Sequence, residues 1–285
     1  MIMPMLSAEM PKVEEFMQVE REEAFKRALK TDPIPRGAIE LELKEVLPSD
    51  KEMEEGEIFF RMALRFAIDD RSYIYIPDGV LGTVYELNTM GKLVNAFRKR
   101  GQGPGEMQFP SDVFPNKQQV VVLDGQSMRM NFFDRDWKYI RSFSIFKGGS
   151  PFVLSRDGYF YCSDRSGERL ILVLDSEGKL INSFADKPFK IGSTLNHFVL
   201  GISPKGTIWV GMIGLGKLIK YSPKGQLEKE IDLVGIGSQW IKDKLRENYQ
   251  YARKEEQKSF VLLQAIACAG EDALVMCGGI RQPIF

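Results

Sequence analysis

A single histidine, three cysteines and an evenly placed series of aspartates are the side chains of this 285-residue chain with the most evident chemistry to offer. One histidine cannot build a multi-histidine metal centre, and any histidine base must be His197. His197 follows Thr194-Leu-Asn196 and opens a β-rich run with no Ser or Cys nucleophile motif beside it. That setting favours a hydrogen-bonded structural histidine over a general base. Cys162, Cys268 and Cys277 lie in apolar runs, form no C-x-x-C pair and are odd in number, so they read as buried thiols. Asp78, Asp124 and Asp164 each end a short β-run, 46 and then 40 residues apart. Carboxylates could ligate a hard cation such as calcium, or each could accept backbone N–H bonds within its own turn. A residue that recurs with every unit favours the turn role, and no metal ligand is assigned.

Basic side chains offer a second kind of chemistry. Arg98, Lys99 and Arg100 are consecutive, and Arg129 and Arg165, with Lys187, fall at related places further along. Together they predict a cationic rim that could meet phosphates or an acidic peptide, although Glu106, Asp164, Glu168 and Asp186 are interspersed and suit an ordinary solvated surface. The segment Gly101-Gln-Gly-Pro-Gly-Glu106 lacks the spacing and the Lys-Ser or Lys-Thr of a phosphate-cradling loop. It reads as a linker whose glycines allow positive φ and whose Pro104 stiffens a turn.

The elements that must position these residues are repeats. From residue 58 onward short β-runs alternate with Gly, Pro, Asp and Asn. Tyr73–Asp78, Gln119–Asp124, Tyr159–Asp164 and Thr207–Gly211 superimpose, and each is followed by a polar hairpin closing on Phe97, Phe143, Phe184 or Ile231. A period in the forties made of short strands predicts an all-β fold, a β-propeller of four-stranded blades over about 59–97, 112–143, 151–184 and 197–232. A fifth unit begins at Phe260 and stops at Phe285, which makes about four and a half blades and predicts an incomplete ring. Residues 234–258 carry Trp240, Ile241, Leu245 and Tyr249 at helical spacing and predict a helical insertion. Trp137 and Trp209 fall in registers that predict packing between blades.

Ahead of the propeller, residues 1–57 form an acidic arm with a predicted amphipathic helix at 13–29 and a strand at 38–47 that would belong to the closing blade. The arm holds 8 basic and 15 acidic side chains, against 31 and 24 in residues 58–285, so the two parts can attract each other. Overall, 39 basic and 39 acidic residues cancel, and nothing global points to nucleic acid or an anionic membrane. The longest apolar run is too short to span a bilayer, so no membrane insertion is expected. No secretory signal is readable in the N-terminus. Met1, Met3, Met5 and Met10 are alternative starts; a leader upstream would place the protein outside the cytoplasm, and without one it is expected to be cytoplasmic.

The junction Phe97-Arg-Lys-Arg-Gly-Gln-Gly-Pro-Gly-Glu-Met-Gln-Phe-Pro110, followed by a β-run ending at Asp124, resembles the NHL-repeat family of six-bladed β-propellers, in particular its bacterial members. The resemblance is strong at this junction, partial over residues 59–232, where the third and fourth blades lack the glycine-rich linker, and absent from the first 57. It implies a six-bladed fold and a binding platform for protein or RNA. The family's amidating-lyase branch is excluded by its need for several histidines around zinc. The expected function is a non-enzymatic module that binds protein or a small anionic ligand, with RNA less favoured, on the linker face around the channel. The residues expected to carry it are Arg98, Lys99, Arg100, Arg129 and Arg165, and no cofactor is required. The alternative is a calcium-dependent, lactonase-like hydrolase or lyase in the channel.

Overall fold

A computed structural model describes residues 58–63, 65–145, 148–165, 167–189, 191–232, 239–253, 263–269 and 272–277. The predicted helix 13–29 and strand 38–47 lie outside the described residues. Four four-stranded antiparallel sheets follow one another along the chain, each in simple sequential order. Blade one holds β1 (Ala67–Ile68), β2 (Ile74–Asp78), β3 (Thr83–Leu87) and β4 (Leu93–Arg98). Blade two holds β5 (Pro110–Pro115), β6 (Gln119–Asp124), β7 (Arg129–Asp134) and β8 (Tyr139–Ser144). Blade three comprises β9 (Gly148–Leu154), β10 (Phe160–Asp164), β11 (Arg169–Leu174) and β12 (Leu180–Asp186). Blade four comprises β13 (Phe198–Ile202), β14 (Ile208–Met212), β15 (Lys217–Tyr221) and β16 (Leu227–Asp232). A helix, α1 (Gln239–Arg253), and an antiparallel pair, β17 (Leu263–Ala269) and β18 (Asp272–Cys277), come after them.

The alternation of side chains along each strand decides which neighbour a blade packs against. In β6, Val120 and Val122 join Tyr75 and Val84 of blade one, whereas Val121 and Leu123 join Phe152, Phe160 and Cys162 of blade three. In β11, Leu172 and Leu174 turn back toward blade two while Ile171 and Val173 meet Ile208 and Val210 of blade four. Each such side chain, once buried, contributes about 1.5–3 kcal/mol. Trp209 stands opposite Gly201 in the β13–β14 pair, and a Cβ on Gly201 would lie 2.6 Å from Ile266 of β17. Trp209 therefore faces the β17–β18 pair, as a residue packed between blades should. Cys162 is fully buried, and burial pushes its thiol up to about 12.

The aspartate series closes turns. Asp78 accepts N–H bonds from Leu81 in its own turn and from Arg61 and Met62 ahead of β1. Asp124 likewise takes Gln126, then Gln108 and Phe109 ahead of β5, and also the Ser127 hydroxyl. Asp164 accepts from Gly167. In blades one and two the carboxylate thus pins the chain leading into the first strand to the turn after the second. Blade four puts buried Met212 in that position.

The hairpins between third and fourth strands share one design. Asn88, Asp134, Asp175 and Ser222 each accept N–H bonds from their own turn, and a bulge precedes each turn in the third strand. The third residue after each has positive φ: Gly91, Gly178 and Gly225, but Trp137 in blade two. Trp137 is therefore a turn residue, not a strand residue as its register implied. A non-glycine side chain there costs about 1–2 kcal/mol. Contacts outweigh it: the indole stacks on Phe97 of blade one at 4.7 Å and donates its N–H to Glu86 at 3.0 Å.

Around Glu86 lies an ionic knot, its carboxylates buried and its arginines partly exposed, that joins the same two blades. Tyr75 donates its hydroxyl to Glu86 at 2.8 Å, and Asp69 accepts from Arg71 and from Arg135 of blade two. Burial would raise the Asp69 pKa, but bonds from the Tyr73 N–H, Arg135 and Arg71 prevail and hold it at about 2. Replacing Trp137 with glycine should relax the backbone yet lower stability by about 3 kcal/mol in denaturant unfolding, because loss of a buried aromatic costs more than the turn regains. Unchanged stability would mean that turn geometry, not contact between blades, governs this corner.

Candidate functional site

The first strands of successive blades lie side by side, and the strongest constellation of polar groups sits where they meet. Arg65, just before β1, reaches out of blade one to two others. Its Nη1 donates to Asp112 Oδ2 of β5 at 2.7 Å, and its Nη2 donates to Ser150 Oγ of β9 at 2.7 Å. Asp112 is buried at 6% exposure and also accepts the Val113 N–H. Burial lifts its pKa, and the attraction of Arg65 only partly offsets that, leaving the carboxyl at about 6.

Two cavities adjoin this pair. The larger, about 510 Å³, lies between blades three and four and is walled by Arg65, Ser150, Asp164, Arg165, Lys187 and His197 among others. The smaller, about 270 Å³, lies between blades two and three and is walled by Ser111, Asp112, Leu123, Met128 and Phe152. Arg65, Ser150 and Arg165 border both. Arg165 can lie over β9 because Gly149 has no side chain: a Cβ there would be 2.0 Å from the Arg165 Nε. Lys187 donates its ammonium to the Gly167 carbonyl at 2.6 Å, which holds it beside the same turn. The larger cavity thus meets three permanent cations and one carboxylate, Asp164, which is engaged with Gly167.

His197 precedes β13 at the place Met62 and Phe109 occupy in their own blades: all three carbonyls accept an N–H from the turn after the second strand, Ile213 in blade four. Its imidazole borders the larger cavity, and partial desolvation lowers its pKa, so the ring is neutral near pH 7. The segment leading into β13 is closed by Asn196, whose amide exchanges bonds with both backbone groups of Phe189. Helix α1 lies over this region. Asn248 donates to the Gly214 carbonyl at 2.7 Å, and Tyr249 meets Phe189 at 6.1 Å.

Of the basic residues named from the sequence, Arg165 lines both cavities and Lys187 the larger one. Arg98 ends the outermost strand of blade one, Lys99 and Arg100 continue into the linker, and all three are exposed. Arg129 opens β7 and donates to the Gln102 carbonyl, tying the glycine-rich linker to blade two. Sequence reasoning missed Arg65, Asp112 and Ser150, which carry no motif. Gly148-Gly149 at the start of β9 was a usable signal, since glycines inside a strand mark close approach of another group. Among the described residues, no three His, Cys, Asp or Glu side chains gather to hold a metal ion. Nor is any helix among them long and apolar enough to cross a membrane.

The sequence matches no protein-family model and no curated protein. Solved structures do resemble it. A Bacteroides fragilis protein designated an exported protein is 15% identical, with a TM-score of 0.56 over 81% of this chain and 68% of that one. A streptogramin B lyase is 12% identical, with a TM-score of 0.48 over 74% of this chain and 60% of that one. A Bacteroides caccae protein of unknown function is 13% identical, with a TM-score of 0.43 over 72% and 65%. The first of these likenesses shows the fold, a β-propeller.

The Asp112 pKa fixes a pH dependence. Because it is raised from the ordinary 3.8 to about 6, Asp112 supports folding most below pH 3.8, and that contribution is lost as pH rises through about 6. Asp69 acts oppositely, its contribution being lost as pH falls toward about 2. Asp112→Asn should therefore gain stability relative to the wild type between pH 4 and pH 7, by about 2 kcal/mol. Denaturant unfolding at both pH values measures this, and a constant difference would contradict the assignment.

Proposed function

We propose that this propeller is a non-enzymatic binding module that captures an anionic group in the channel cavity between blades three and four. The observation that carries the reading is the wall itself: Arg65, Arg165 and Lys187 converge on one cavity with serine, asparagine and imidazole groups between them and a single carboxylate, already hydrogen-bonded. Guanidinium groups that share a site suit carboxylate or phosphate through paired N–H donors. The resemblance of the Phe97–Pro110 junction to NHL propellers, which act as binding platforms, supports the same class of function. Further out, Arg98, Lys99, Arg100 and Arg129 would extend contact to the acidic surface of a larger partner, a protein in preference to RNA.

Calorimetric titration with inorganic phosphate, acetate and an acidic peptide tests this. Arg165→Glu should weaken all three by about tenfold or more, since a charge-assisted hydrogen bond contributes about 1.5–3 kcal/mol. Charge reversal at Arg98 and Arg100 should weaken the peptide alone. Absence of binding by every anion, or indifference to Arg165→Glu, would sink the proposal.

A further inference from the structure

The two cavities differ in character but share a boundary, and that combination specifies more than an anion. The larger one is cationic and opens among Arg65, Arg165, Lys187 and His197. The smaller is floored by Leu123, Met128 and Phe152, two of which are buried side chains of the core between blades two and three. Its one acidic group, Asp112, is bonded to Arg65, so the carboxylate opposes an anion in the small chamber while its partner's charge remains at the boundary. A ligand that uses both chambers would place its charged end at Arg65 and Arg165 and its apolar end against Leu123, Met128 and Phe152.

From this juxtaposition we infer that the channel takes an aliphatic monocarboxylate, its carboxylate held between Arg65 and Arg165 and its alkyl tail lodged in the 270 Å³ chamber between blades two and three. The inference rests on the anion-binding reading above and adds the apolar half of the ligand. Ser150 supplies a hydroxyl at the boundary, Ser111 and the Arg65-bonded carboxylate of Asp112 supply the polar groups of the small chamber, and Leu123, Met128 and Phe152 supply the carbon against which the tail would lie. Burial of each methylene contributes about 0.8 kcal/mol, which is about fourfold in affinity.

The test is calorimetric titration of the full chain with acetate, butanoate, hexanoate and octanoate, beside 6-hydroxyhexanoate and inorganic phosphate. Affinity should rise about fourfold per added methylene until the chamber fills and then level off, and the terminal hydroxyl should cancel most of the gain. Met128→Trp, which narrows the chamber, should bring the affinity for hexanoate down to that for acetate measured on the same variant. If that variant does not fold, the comparison of hexanoate with 6-hydroxyhexanoate decides the point. Equal affinities for acetate and hexanoate, with phosphate still bound, would overturn the tail chamber and leave the anion reading standing. Failure of every anion to bind would overturn both.

Discussion

A four-stranded twisted sheet has two faces and can hide neither of them alone, so each blade of this protein is stable only between others. The consequence is visible residue by residue. Neighbouring valines in β6 go to opposite sides, Val120 and Val122 toward blade one and Val121 toward blade three. β11 repeats the division between blades two and four. Arranging sheets face to face in this way brings their first strands together along an inner wall, where no further sheet among the described residues covers them. Polar groups are tolerated there if they satisfy one another. Arg65 does this for two blades at once, through Asp112 and Ser150.

The proposed binding surface follows from that wall. Asp112 is desolvated, and its charge depends on Arg65 for compensation, so the pair both fastens blades and divides the channel into two chambers. Arg165 reaches the boundary from a turn of blade three because Gly149 yields the space. The same economy appears at the corner between blades one and two, where Trp137 holds a backbone conformation that the other three hairpins assign to glycine. Stacking on Phe97 and a bond to Glu86 make that conformation sustainable.

Much of the fold was legible because its signals repeat. The β-runs ending in Asp78, Asp124 and Asp164 and the hairpins at Asn88, Asp134, Asp175 and Ser222 each mark a turn by local chemistry that needs no distant partner. The helix over residues 234–258 was legible from its apolar spacing, and Gln239–Arg253 falls inside that range. The site was much less so. Arg65, Asp112 and Ser150 come from three blades, 47 and 38 residues apart in sequence, and only closure of the blades brings them into contact. Arg98, Lys99 and Arg100 stood out because they are consecutive, yet consecutive residues at the end of an outer strand lie on the rim, while Arg165 alone of the five borders the cavities.

The claim on which both the architecture and the channel rest is that Arg65 couples blade one to blade two through Asp112. A double-mutant cycle with Arg65→Gln, Asp112→Asn and the combination, followed by denaturant unfolding at pH 7, measures that coupling directly. The account predicts an interaction energy of about 1–3 kcal/mol, with the second substitution costing little once the first is made. Strictly additive effects, within about 0.5 kcal/mol, would contradict it, because two residues that add independently do not hold the blades together.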